Sequence, residues 1–443
     1  MHILFLTHYF PPEVNAPASR TYEHCLRWVR AGHRVTVITC VPNCPDGVVF
    51  DGYRNRVRPQ VENVDGIQVI RVWTHVAANA GTLHRIINFL SYMISATLAA
   101  WRVKSPDLVV ATSPQFFCGW AGVFVSRMKN RPLVLEVRDI WPESIQAVGA
   151  LRNRYLLRIL EALEQRMYAA ADLIVTVGQG YRQRILDRIG KDRRIEVVTN
   201  GVDLERFQTC DDANQFRQQY RFEEKFVCSY IGTIGMAHGL EVVLKAAQLL
   251  KQQDRTDVVF CLIGDGARRK QLEQQVRESG LDEWIVFLGR QPRHVVPSAI
   301  AASDACLIHL KECELFGTVI PSKMFEAMAM GRPIIMGVRG EARDIVVGNG
   351  AGLAMEPDSP SSLVSAIDRL SRDADLRASL GAAARRVMKK SYNRDHLAEE
   401  FLRLLQALCE NELLLPLPIS GSAVPQRRNK LEPSEHNVRT RAA

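Results

Sequence analysis

KFVCSYIGTIGMAHGLEVVLKAA, residues 225–247, reads as a strand, a glycine-bracketed turn and a helix in direct succession. Residues 226–231 form a short apolar run, Gly232 and Gly235 flank a tight loop, and a helix is expected to begin near His238 or Gly239. Glycine lets the backbone approach a ligand, and the free N–H groups of a helix start attract phosphate. The same residues also suit an ordinary strand-to-helix turn, so the reading rests on what surrounds them. Around them the unit recurs. Apolar runs at 258–263, 285–288, 305–309, 333–336 and 352–355 alternate with helical patterns at 240–250, 268–279, 292–302, 322–329 and 360–370. Short Val/Ile/Leu runs separated by such helices indicate a parallel sheet covered on both faces.

The first half repeats the scheme, with strands expected at 3–7, 34–39, 67–72, 107–111, 133–137, 173–177 and 195–198 and helices at 18–30, 116–128 and 153–170. Residues 43–59, rich in Pro, Gly and Arg, are expected to form a loop on the cleft side. At 443 residues the chain is long enough for two cores. The expectation is an α/β protein of two Rossmann-like, doubly wound parallel-sheet lobes. Residues 1–207 make the first, 208–393 the second (opening on a linker and a short helix at 208–224), and a helix at 394–410 returns to the first. Residues 411–443 are polar, Pro-containing and basic, and read as a disordered tail. Facing lobes of this kind place a ligand cleft at the carboxyl ends of both sets of strands.

The net charge of +9 is held on one side. Residues 1–200 carry twenty-five Lys and Arg against sixteen Asp and Glu, whereas the remainder carries thirty-two of each. Such a basic lobe suits an anionic surface or phosphate-bearing ligands. Nucleic acid is the poorer match, because no nucleic-acid motif appears and the aromatics are not interleaved with the cations. Ten scattered cysteines without a C-x-x-C pair indicate a reduced, cytoplasmic setting with no disulfide framework and no metal site. The start, MHILFLTHYF, lacks the pattern of a signal peptide. Residues 83–101 (LHRIINFLSYMISATLAAW) are apolar but interrupted, and fall short of ~20 clean apolar residues. They fit either a buried lobe helix or a helix lying in a bilayer interface.

A second stretch bears on chemistry: LKECELFGTVIPSKMFEAMAMGRPIIM, residues 310–336. Pro321 opens an element, Ser322 can cap a helix, and Lys323 sits in its first turn. A cation there opposes the helix dipole, a cost that a bound diphosphate reverses. Glu326 follows three residues later on the same face. Lys for a diphosphate and Glu for ribose hydroxyls would make a nucleotide-sugar cradle; the alternative is an exposed ion pair. In the first lobe, LVLEVRDIWPES places Arg138 and Asp139 at a strand's carboxyl end. They either contact the transferred sugar or the acceptor, or pair with each other over Trp141. Glu13 and Asn15, on the proline-stiffened loop THYFPPEVNAPASR, are candidates for docking an acceptor hydroxyl or phosphate, and His8 fits a core position equally well.

GTIGMAHGLE, IGDG, IPSKMFEAMAMGRPII and VVTNGVD, with THYFPPE and VRDIWPES, resemble family 4 retaining glycosyltransferases of the GT-B fold. The resemblance runs from about residue 1 to about 405 and extends to a branch assigned N-acetyl-L-fucosamine transfer in bacterial O-antigen and capsule synthesis. It implies a polysaccharide-synthesis enzyme, peripheral on the inner face of the cell membrane. Its donor would be a nucleotide-diphosphate sugar, UDP-linked, and its acceptor a lipid-linked saccharide at an anionic membrane surface. It also implies that Glu326 binds the donor ribose and that Gly232, Thr233 and Gly235 underlie the diphosphate, with Ser322 and Lys323 beside it. Thr318 stands where the wider family often has a second glutamate, and Arg138 where it commonly has histidine. Met236, Ala237 and His238 replace the usual loop cations, which makes Lys323 the leading diphosphate ligand, with Arg268 and Arg290 behind it. In the retaining scheme the leaving phosphate oxygen takes the acceptor's proton, so Lys323, Arg138 and Asp139 are the catalytic candidates. No D-x-D triplet lies at a strand end, so no metal and no cofactor are expected. A UDP-sugar 2-epimerase or a non-catalytic scaffold of the same fold are the alternatives. A dehydrogenase is the weakest reading, since neither lobe opens on G-x-G-x-x-G.

Overall fold

The computed structural model describes residues 1–410 except 45, 78–81, 114, 148–152, 191 and 209–211; the expected tail, 411–443, lies outside the described residues. Two sheets are present. The first contains β1 (His2–Leu6), β2 (Arg34–Cys40), β3 (Gln60–Val64), β4 (Ile67–Val72), β5 (Leu108–Ser113), β6 (Leu133–Val137), β7 (Leu173–Thr176) and β8 (Ile195–Val197). Its spatial order is β3-β4-β2-β1-β5-β6-β7-β8. The second contains β9 (Phe226–Ile231), β10 (Val258–Ile263), β11 (Ile285–Gly289), β12 (Ala305–His309), β13 (Ile334–Gly337) and β14 (Gly352–Ala354), in the order β11-β10-β9-β12-β13-β14. All pairings are parallel except β3 with β4. The two-lobe α/β architecture read from the sequence is therefore the observed one.

β3 is the addition. QVENV alternates exposed and half-buried positions on the outer edge of β4, so it lacks the apolar run by which the other strands announce themselves. The helix Ala16–Arg30 and the last helix, Arg394–Cys409, pack side by side on one face of the first sheet. There Trp28, Leu397, Phe401 and Leu405 join Ile3, Phe5 and Val37 in one core. Trp28 Nε1 donates to Ala398 O at 3.0 Å. The helices Thr82–Ala100, Phe116–Lys129 and Arg154–Ala169 cover the opposite face. No helix among the described residues is long and apolar enough to cross a membrane.

In both sheets the winding reverses beside the first strand, between β1 and β5 and between β9 and β12. A doubly wound sheet opens a crevice at that switch point, beyond the carboxyl ends of the strands. The lobes meet there through named contacts. Arg293 Nη2 donates to Ser19 Oγ at 2.7 Å, and Glu341 Oε2 accepts from Gln179 N at 2.7 Å and Gly180 N at 3.3 Å. Arg184 joins Glu314 at 2.7 Å.

Candidate active site

After β9 the chain turns at Gly232, whose φ is +145°, and closes one 3-10 turn at Met236–His238. The helix that follows begins at Glu241, not at His238 or Gly239 as expected, because Gly239 is left-handed (φ +57°) and separates the two. The IGDG turn after β10 lies directly against this loop. A Cβ placed on Gly264 would lie 1.9 Å from Gly232 O, and Ile234 N donates to Asp265 O at 2.9 Å. Only glycine lets the two backbones come that close.

Lys323 reaches the same turn from 91 positions away in the chain. Its Nζ stands 3.5 Å from the centre of the Tyr230 ring, and a Cβ on Gly232 would lie 3.6 Å from that nitrogen. The residue as a whole is half-buried, but Nζ is sealed from solvent and has no hydrogen-bond partner. Burial holds the amine well below the usual lysine range, and the charge of Glu326 offsets this only in part. No ion pair joins Lys323 to Glu326 among the described residues, so the alternative of an exposed i,i+3 pair is not what forms. Instead a cation-forming group is aimed, unpartnered, at a glycine turn. An unsatisfied buried donor of this kind costs about 1–3 kcal/mol, which an anion at the turn would recover. Ser322 occupies the cap position of the helix Lys323–Ala329 but its hydroxyl makes no cap bond, contrary to expectation, because its own backbone is already helical (φ −57°, ψ −30°).

Glu326 is pushed up to about 7 by burial, against the pull of Arg206, Arg293 and Lys323. Arg206 and Arg293 escaped the sequence reading. Arg206 Nη2 donates to Arg293 O at 2.9 Å, and Arg293 reaches across to Ser19, so the two guanidinium groups beside Glu326 are placed by contact between lobes that no local pattern encodes. His238 closes the turn from within. Its Nδ1 accepts from Gly235 N at 3.3 Å, and burial lowers its pKa to about 3. Thr233 contributes its carbonyl to Tyr230 Oη at 2.6 Å, which holds the loop onto the ring that Lys323 covers. The two reserve cations are engaged elsewhere. Arg268 pairs with Glu241, and Arg290 lies between Asp265 at 3.7 Å and Asp46 of the first lobe at 3.8 Å.

On the first lobe, Arg138 and Asp139 do stand at the end of β6, but they do not pair with each other. Arg138 has two buried nitrogens, Nε and Nη1, without a partner, and burial lowers its pKa to about 10 despite Glu136 nearby. Asp139 is held by Ser144 and the N–H of Ile140, and burial pushes it up to about 6. Trp141 packs on Phe116 at 4.6 Å rather than beneath an ion pair. Below them Arg20 joins Glu136 at 2.9 Å and donates to Val198 O and Thr199 O, a buried tie between the first helix and the sheet that the sequence did not reveal. Glu13 and Asn15 have structural work. Glu13 Oε1 accepts from Asn43 N at 2.9 Å and Cys44 N at 2.8 Å, bracing the loop, and Asn15 Oδ1 caps the first helix through Ala18 N at 2.9 Å. His8 is fully within the core, against Phe89 and Tyr92.

The first lobe thus offers an unpartnered guanidinium, the second an unpartnered amine over a glycine turn and a carboxyl group beside it. Residues 15–201 match the model of the glycosyl transferase 4-like domain, and residues 211–387 that of glycosyl transferases group 1. The chain is 28% identical over 282 residues to WbjE of Pseudomonas aeruginosa, assigned as a glycosyltransferase, covering 62% of this chain and 68% of that one. It is 23% identical over 416 residues to WcaI of Escherichia coli K12, a glycosyl transferase assigned to colanic acid biosynthesis, covering 91% and 99%. HepE of Anabaena, solved in complex with UDP-glucose, shares the fold with a TM-score of 0.69 at 19% identity over 92% of this chain and all of that one. Matched lobe for lobe on this architecture, the chain belongs to the family 4 glycosyltransferases of GT-B fold.

Proposed function

We propose that this glycosyltransferase moves an N-acetylated hexosamine or deoxyhexosamine from a UDP-linked donor onto a lipid-diphosphate-linked saccharide at the inner face of a bacterial membrane, in surface polysaccharide synthesis. The observation that carries the donor half is the Lys323 amine, buried and without a partner, against the Gly232 turn. The diphosphate lies on that turn with Lys323 beside it, and Glu326 holds the ribose. Arg138 takes an anionic or polar group of the acceptor or of the transferred sugar, with Asp139 next to it. Support comes from WcaI, assigned to colanic acid biosynthesis, and from the UDP-glucose held by HepE.

Transfer proceeds with retention and without a metal. The bond from the anomeric carbon to the diphosphate oxygen breaks, and the acceptor hydroxyl oxygen bonds that carbon on the same face. The hydroxyl proton passes to the departing phosphate oxygen, so no protein base is used. The chain's own part is preorganised charge at the leaving oxygen. The test is UDP release from UDP-N-acetylhexosamines with and without a polyprenyl-diphosphate saccharide, in EDTA. Release that requires the acceptor, and a product of unchanged anomeric configuration, are expected. Formation of a 2-epimer without acceptor, or loss of activity in EDTA, would overturn the reading.

A further inference from the structure

The outer faces of three neighbouring helices carry large apolar side chains among their polar ones, where a water-facing surface should be polar. On Thr82–Ala100 and the turn that ends it, Ile87, Ile94, Leu98 and Trp101 follow one another at intervals of 7, 4 and 3, a single helical stripe. Leu98 is 60% and Trp101 73% exposed. The inner stripe of the same helix, Tyr92, Ala96 and Ala99, is buried, so the outward residues are not core positions left uncovered by fraying. Phe124 and Met128 continue the surface on the adjacent helix, and Tyr155 (79% exposed) and Ile159 on the third. Single exposed apolar residues need no explanation, but a set repeated over three helices that pack one on the next does.

Cations rim this face. Arg85, Arg102 and Lys104 flank the first helix, Arg127 and Arg131 the second, and Arg154 and Arg158 the third, while 82–106 and 116–131 contain no acidic residue. On the third helix Glu164 is buried and paired with Arg188, and Glu161, half-buried, is the other acid, beside Arg154, Arg158 and Arg166. We infer that this three-helix face is the surface by which the enzyme lies on an anionic lipid bilayer, its aliphatic and indole side chains in the acyl boundary and its arginines at the headgroups. The charge decides between occupants. A second copy docked face to face would set one cationic rim against another, whereas an anionic bilayer complements it. Each of these helices starts from the carboxyl edge of the first sheet and runs back toward its amino edge, so Ile87 lies nearer the cleft edge and Leu98, Trp101 and Met128 nearer the opposite one. An enzyme seated on it stays at the surface that holds a lipid-linked acceptor, which rests on the proposed membrane acceptor.

The test is co-sedimentation of the full chain with vesicles of phosphatidylglycerol or phosphatidylcholine, with UDP binding followed in parallel by calorimetry. The wild type should bind phosphatidylglycerol vesicles, more weakly as salt rises, and phosphatidylcholine poorly. Ile94→Ser/Leu98→Ser/Trp101→Ser should weaken vesicle binding by at least ~100-fold, each apolar side chain withdrawn from water being worth about tenfold, with UDP affinity unchanged. Tyr155→Ser/Ile159→Ser, on a different helix, should weaken it independently. Failure of the wild type to bind phosphatidylglycerol, unchanged binding by both variants, or a wild-type dimer that the triple variant dissolves would overturn the inference. Vesicle binding without UDP binding would leave this surface standing and remove the donor assignment instead.

Discussion

Replacing Lys323 by methionine should raise the stability of the unliganded protein while it cripples catalysis. The amine has no hydrogen-bond partner and is shut off from solvent, so folding buries a group that water would solvate. Such a group costs about 1–3 kcal/mol. Its contact with the Tyr230 ring at 3.5 Å returns part of this, about 0.5–2 kcal/mol for a cation over an aromatic face. Methionine fills a similar volume without the polar head, so the net gain expected is about 1 kcal/mol, or roughly 2–4 °C in the melting temperature of a lobe of this size. The sign also follows from the lowered pKa. A lysine whose folded pKa lies below its unfolded value disfavours folding wherever the unfolded amine is protonated, which includes neutral pH. The same substitution removes a charged donor from the leaving oxygen, a loss worth ~10²–10³ in turnover. Differential scanning fluorimetry without ligand, paired with acceptor-dependent UDP release, reads both signs. A variant that melts lower than wild type, or one that keeps near-normal turnover, would remove Lys323 from the donor site.

Glu326→Gln should flatten a pH dependence of stability. The folded carboxyl titrates near 7, above its unfolded value, so its contribution is complete below about 4.5 and is lost as pH rises through about 7. Melting curves between about pH 5 and 8 should therefore diverge from those of the variant, and parallel curves would count against a buried Glu326. The variant should also bind UDP about tenfold more weakly by calorimetry. Gly264→Ala should destabilise the second lobe by on the order of 3 kcal/mol, since its Cβ would lie 1.9 Å from Gly232 O at a φ of +141°; an unchanged denaturant midpoint would mean the two turns are not packed as described. Arg138→Gln should raise the acceptor KM or lower kcat by at least ~10-fold with UDP affinity intact, because a charged, desolvated partner of the acceptor is lost; full activity would return Arg138 to a purely structural role.

Much of the architecture was legible because parallel, doubly covered strands are written as uninterrupted apolar runs, as in VVFCLI of β10 and IIMG of β13. β3 was not legible, because an exposed edge strand needs no such run. The helix Gln179–Ile189 also passed unread, since only Tyr181 and Ile185 of it are buried and its polar surface gives a weak period. Local pattern and family resemblance single out Gly232, Lys323 and Glu326 as candidates, and the approach of Lys323 to the Gly232 turn required the fold. Glu13 and Asn15 looked like ligand contacts because a carboxylate and an amide on a loop before a helix serve equally as braces and caps. Arg206, Arg293 and Arg20 lie at positions fixed by packing between distant segments, for which a single sequence carries no local signal.

Wild-type protein titrated calorimetrically with UDP, GDP, ADP and dTDP, then with UDP-N-acetylhexosamines, should bind UDP best. Binding of another nucleotide in preference to UDP would correct the donor. Binding of none of them would contradict the cradle formed by Gly232, Lys323 and Glu326.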